Sequence, residues 1–110
     1  IYKNIIMSFN GNEGEFITLE EGAAMTARYR NTINPGEPLG FLSSKSIFDR
    51  IFNQTGCEGI RIYFGINESG KQNLVVVGTD SAGNDLASGL IADSFGACPP
   101  VCSSSNPLNS

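Results

Sequence analysis

A small α+β domain is expected from three features of this chain: a capped stretch of helix formers, a second stretch with helical apolar spacing, and a switch to two-residue alternation beyond Gly59. The first helix begins at Thr18, because its hydroxyl can accept from the backbone N–H of Glu21 while the Glu21 carboxylate reaches back to the N–H of Thr18. It runs to about Asn31, with Gly22, Ala23, Ala24 and Ala27 forming a thin face able to lie close to a sheet and Leu19, Met25 and Tyr29 supplying bulk. Asn34-Pro35-Gly36 ends it, since proline disfavours the α conformation in the residue before it.

Pro38 to Leu42 reads as a short extended segment, after which Ser43, Ser44 and Ser46 compete to cap a second helix. There Ile47, Phe48, Ile51 and Phe52 share one stripe, Asp49, Arg50 and Asn53 face water, and Gly56 is the stop. Beyond Gly59 the period is two, with Ile60, Ile62, Phe64 and Ile66 on one face of a half-buried strand and Arg61, Tyr63 and Gly65 on the other. Asn67-Glu68-Ser69-Gly70 is a turn and Leu74 to Val77 a continuous apolar run, which together give an antiparallel hairpin whose second strand is the more deeply covered. Asp80 to Asp85 is a polar loop without the alternating ligands or terminal Glu of a calcium loop, and Leu86 to Phe95 fits either a short strand or irregular chain. The expected architecture is two helices packed on one face of a small antiparallel sheet built around this central hairpin, with a Cys- and Pro-rich C-terminal tail folded back near Cys57.

With 110 residues and 40% hydrophobic composition, the chain holds one core. Residues 1–16 are expected to form a flexible N-terminal arm, rich in Gly and Asn from Ser8 onward, and 17–110 a single domain that includes the tail 96–110. Ile1 to Ile6 can be encoded by A and T codons alone, which points to a translated upstream leader and a native start at Met7. No basic n-region followed by a sustained apolar stretch and cleavage site is present, so the expected location is cytoplasmic. No apolar run approaches the roughly 18 residues needed to cross a bilayer. The net charge of −4, with scattered Lys and Arg, offers no stripe to follow a phosphate backbone, so neither nucleic acid nor membrane is an expected partner.

Cys57, Cys98 and Cys102 are the candidate site residues, because no other side chains offer a soft ligand or strong nucleophile. A structural zinc site wants four Cys or His ligands, and the chain has three Cys and no His, so no metal or cofactor is expected. A polyproline conformation through Pro99-Pro100 would hold the Cα atoms of Cys98 and Cys102 roughly 12 Å apart, and a disulfide needs them within about 7 Å. They can pair if the prolines turn, for instance through a cis bond, or either can pair with Cys57. In a reducing cytoplasm the default is three thiols. The C-x-x-x-C spacing before a Ser-rich tail is also a poor match to a thioredoxin-like site. As small apolar residues, Cys57 would be buried in a helix-to-strand link and the other two would sit in a stiff tail packed over the sheet. The glycines form neither a dinucleotide fingerprint nor a P-loop, and Arg61 with Tyr63 offers a polar-aromatic patch for a partner unless a helix or the tail covers it.

The strings ITLEEGAAMTARYR (17 to 30), TGCEGIRIYFG (55 to 65), LVVVGTD (74 to 80), GLIAD (89 to 93) and CPPVC with its NPLNS ending (98 to 110) resemble a set of short, uncharacterised proteins of Bacteroidetes-type bacteria. The resemblance spans nearly the whole chain from Ile17 and leaves out residues 1 to 16. It implies a bacterial origin, transfers no activity, and implies that the three cysteines belong to one recurring pattern whose sulfurs meet in space.

Two functions are therefore expected. One is a non-catalytic interaction or accessory domain, since no acid-base or nucleophilic constellation is visible. The other is a thiol-based redox or metal-binding protein using Cys57, Cys98 and Cys102. A small sheet leaves edges to cover, which makes a homodimer the expected assembly.

Overall fold

The computed structural model describes residues 8–110, so the leader expected over 1–6 and the start expected at Met7 lie outside the described residues. The elements follow the order α1 (Leu19–Arg30), β1 (Gly40–Leu42), α2 (Lys45–Phe52), β2 (Gly59–Ile66), β3 (Gln72–Thr79), β4 (Ile91–Ala92) and β5 (Gly96–Cys98). This is the small α+β fold that the periodicities predict.

Local chemistry sets the boundaries. Thr18 Oγ1 accepts from the Glu21 N–H at 3.1 Å and the Thr18 N–H donates to Glu21 Oε1 at 3.1 Å, so the capping box starts α1 where its spacing requires. Ser44 wins the competition to cap α2, its hydroxyl accepting from the Ile47 N–H. Between β2 and β3, Asn67 Oδ1 accepts from the N–H groups of Ser69 and Lys71, and Gly70 takes a φ of +78° that the turn requires.

The strands divide into two small sheets where one was expected. Three strands lie in the order β2-β3-β4, with Ile62 opposite Val76, Phe64 opposite Leu74 and Val77 opposite Ile91. β5 pairs instead with β1, Phe41 opposite Ala97 and Gly40 opposite Cys98. The reason lies just after β4: Ser94 occupies the left-handed region (φ 63°), which turns the chain out of the first sheet before it reaches Gly96.

α2 covers one end of the face that carries Ile60 and Gly78. Ile51 is 1% exposed there, and a Cβ on Gly78 would stand 3.2 Å from Ile51 Cγ2 and 2.8 Å from Cys57 Sγ, so the absence of a side chain is what lets the helix and its following link approach. On the opposite face Phe9, from the arm, is seated against Gly59 and Gly83, and Val77 and Thr79 are buried. β3 is the more deeply covered strand of the hairpin, as its apolar run predicts.

α1 meets the C-terminal tail through Gly22 and Arg30. A Cβ on Gly22 would meet Leu108 Cδ2 at 3.4 Å, and Arg30 Nη1 donates to the Leu108 carbonyl at 2.9 Å. Leu19, Met25 and Tyr29, expected to supply bulk against a sheet, are exposed. The tail keeps its shape through Asn106, whose Oδ1 accepts from the Leu108 N–H and whose N–H donates to Asn109 Oδ1. Among the described residues no helix is long and apolar enough to cross a membrane.

Candidate functional site

The structure brings two of the three predicted cysteines together. Cys98 and Cys102 form a disulfide with their Cα atoms 4.7 Å apart, and both the Cys98–Pro99 and Pro99–Pro100 bonds are cis. The extended polyproline path that would have separated them is thus not the one the chain takes, and the expected default of three thiols gives way to one. Pairing to β1 holds the first cysteine, since the Leu39 N–H donates to the Cys98 carbonyl. Cys57 is the free thiol. Its Sγ donates to the Gly59 carbonyl at 3.3 Å and lies against Gly78, the position of a small half-buried residue in the link from α2 to β2. Among the described residues no group of three or more Cys, Asp or Glu is placed to hold a metal ion.

A polar cluster forms on the other face of β2. Arg61 Nη1 donates to Asp85 Oδ1 at 2.5 Å and to the Gly83 carbonyl at 2.9 Å, and the Tyr63 hydroxyl donates to Asp85 Oδ2. Asp85 bridges to Thr79 on the side of β3 away from β2, so these contacts span β3 on the face that carries Val77. The Tyr63 hydroxyl, and then Arg61, hold the Asp85 carboxyl below its ordinary range. Asp85 in turn raises the Tyr63 phenol and the Arg61 guanidinium above theirs. Both oxygens of Asp85 are taken by these two side chains, which suits a clasp that fastens the loop after β3 to the hairpin. Sequence reasoning placed Arg61 and Tyr63 on one face and Asp85 in a loop. It missed their meeting, for which the odd spacing of Arg61 and Tyr63 opposite a carboxylate-bearing loop was the available signal.

Apolar surface is the larger feature. Ile51, Val76 and Val77 are the buried large apolar side chains among the described residues, whereas Phe64 and Ile66 are 83% and 71% exposed and Ile62 is 49% exposed. The stripe expected to half-bury β2 therefore faces solvent over its second half. The cause is the length of α2: eight residues span about 12 Å and cover the Ile60 end alone. Beyond it the same face runs into a groove of about 540 Å³ lined by Tyr29, Leu39, Phe41, Phe64, Gln72 and Leu74. A second, more polar cavity of about 750 Å³ lies between the Pro35–Pro38 loop, the hairpin turn and Asp93–Phe95.

β2 is also an edge. In the order β2-β3-β4 its outer side is unpaired among the described residues, over eight residues that contain no Pro and no Lys. Comparison of the chain with family models, with curated proteins and with solved structures finds no significant match.

Proposed function

We propose that this chain is a non-catalytic interaction domain whose working surface is the exposed half of the Ile62, Phe64 and Ile66 face together with the adjoining groove. The observation that carries this reading is the exposure of Phe64 and Ile66 beside the apolar groove, on the fully paired β2-β3 hairpin. Contiguous apolar surface of this kind is costly to leave in water and marks association sites in soluble proteins. Aromatic anchors such as Phe64, Tyr29 and Phe41 suit the centre of such a surface. The test is a photo-crosslinking side chain at position 64, installed in the full chain and activated in cells at native abundance. Protein adducts are expected from position 64 and not from position 68 in the hairpin turn, and equal yields from the two would overturn the reading.

A second reading draws on the Cys98–Cys102 bond: a dithiol pair that exchanges with a small-molecule thiol, the pair being reduced to two thiols as two molecules of that thiol are oxidised to their disulfide. Titration of the pair in glutathione buffers checks it. A bond that stays intact across the physiological range of those buffers ends this reading and leaves the disulfide as a staple between β5 and the tail.

A further inference from the structure

The geometry points to a second copy of this chain as the occupant of the β2 edge, the two β2 strands pairing antiparallel about a two-fold axis at Tyr63. This inference rests on the interaction-domain reading and supplies its partner.

Three observations carry it. First, the edge is long and unguarded: eight residues, every second of which directs its N–H and C=O outward, away from β3, and none of the Pro, Lys or bulge devices by which edge strands ordinarily prevent pairing. Second, the strand is complementary to itself. A two-fold normal to the sheet keeps each face on its own side, so pairing about Tyr63 sets Ile62 opposite Phe64 of the second copy and Ile60 opposite its Ile66. The most exposed apolar side chains of β2 are thereby joined to its half-covered ones in a single apolar face. Third, charge does not oppose it. Arg61 is the single charged residue of β2, its guanidinium is already matched by Asp85, and in this register it faces Gly65 of the second copy rather than another cation. The result is a six-stranded sheet, β4-β3-β2 continued by the same strands of the second copy, with the two grooves opening on its apolar face.

The test combines solution size with register. Sedimentation of the full chain is expected to show a dimer at micromolar concentration, and Phe64→Lys to raise the dimer dissociation constant by about tenfold or more. Phe64 is 83% exposed in the single chain, so this variant should keep the far-ultraviolet circular dichroism of the folded protein, which separates a lost interface from a lost fold. In a Cys57→Ser background, Tyr63→Cys should cross-link two chains on mild oxidation, because residues at such an axis face one another within disulfide reach, whereas Glu68→Cys should not. A monomer, a dimer indifferent to Phe64→Lys, or no Tyr63→Cys cross-link would overturn the proposal. If adducts at position 64 join the chain to a different protein while the purified chain is monomeric, the second copy is ruled out and the interaction reading stands. Absence of any adduct removes both.

Discussion

Tyr63 donates its hydroxyl proton to Asp85 Oδ2 across a sequence separation of 22 residues, and this contact ties the middle of the edge strand to the loop that follows β3. Because Arg61 holds the other oxygen of the same carboxylate, Asp85 is the point on which both outward-facing polar residues of β2 converge.

Stability should therefore depend on pH in a defined window. Asp85 is held below its unfolded value of 3.8, so its contribution is present above that pH and is lost as the pH falls through the lower folded value. Tyr63 is held above its unfolded value of 10.0, so its contribution is full below that pH and is lost as the pH rises through the higher folded value. Urea midpoints measured across this range should form a plateau with an acid and an alkaline shoulder. Asp85→Asn should flatten the acid shoulder, and a variant that retains it would show that the clasp contributes nothing.

Ile51 carries much of what α2 contributes. It is 1% exposed beneath the hairpin, so Ile51→Ala should lower the unfolding free energy by about 2–5 kcal/mol, through lost burial and the cavity left behind. Denaturant unfolding followed by circular dichroism gives the value, and a loss under about 1 kcal/mol would mean that the helix is not held through this residue.

Gly78 should be intolerant of even one carbon. A Cβ there would stand 2.8 Å from Cys57 Sγ and 3.1 Å from Gln54 Nε2, and relief requires the α2 link to move. Gly78→Ala is expected to cost about 1–3 kcal/mol. Adding Cys57→Ala should recover part of that loss, since it removes the nearest obstructing atom, and a double-mutant cycle measures the recovery as a coupling between the two sites.

Alkylation gives a simple reading of the thiols. Unfolded without reductant, the oxidised chain should take one alkyl group, at Cys57, and after reduction it should take three. By the chain-entropy model, closing so short a loop is worth about 2 kcal/mol, so reduction should lower stability by an amount of that order.

The elements were legible wherever their signals are local. Thr18 with Glu21 marks one helix start, and the alternation from Ile60 to Ile66 marks β2. The hidden parts depend on distance along the chain. Nothing near Gly96 shows that β5 will pair with Phe41, because that choice follows the turn at Ser94 and the partner strand lies far back in the chain. The stripe on β2 read as half-buried because alternation reports which residues share a face and not how far a helix extends over it. For the cysteines, spacing alone left the pairing open, and only the path through two prolines decides it. Asp85 looked like one loop carboxylate among several, since its partners lie on a strand two elements earlier.

The contact between Arg30 and Leu108 joins residues 78 positions apart. During synthesis the capped helix, the second helix and the hairpin all leave the ribosome before the segment that anchors the first of them. At roughly 5–20 residues per second, α1 waits several seconds for its partner. Over that interval Gly22 has no leucine to rest on and Arg30 no carbonyl to donate to. The first helix among the described residues is thus among the last to dock, and a released chain truncated short of Leu108 should keep its hairpin while that helix is open to protease.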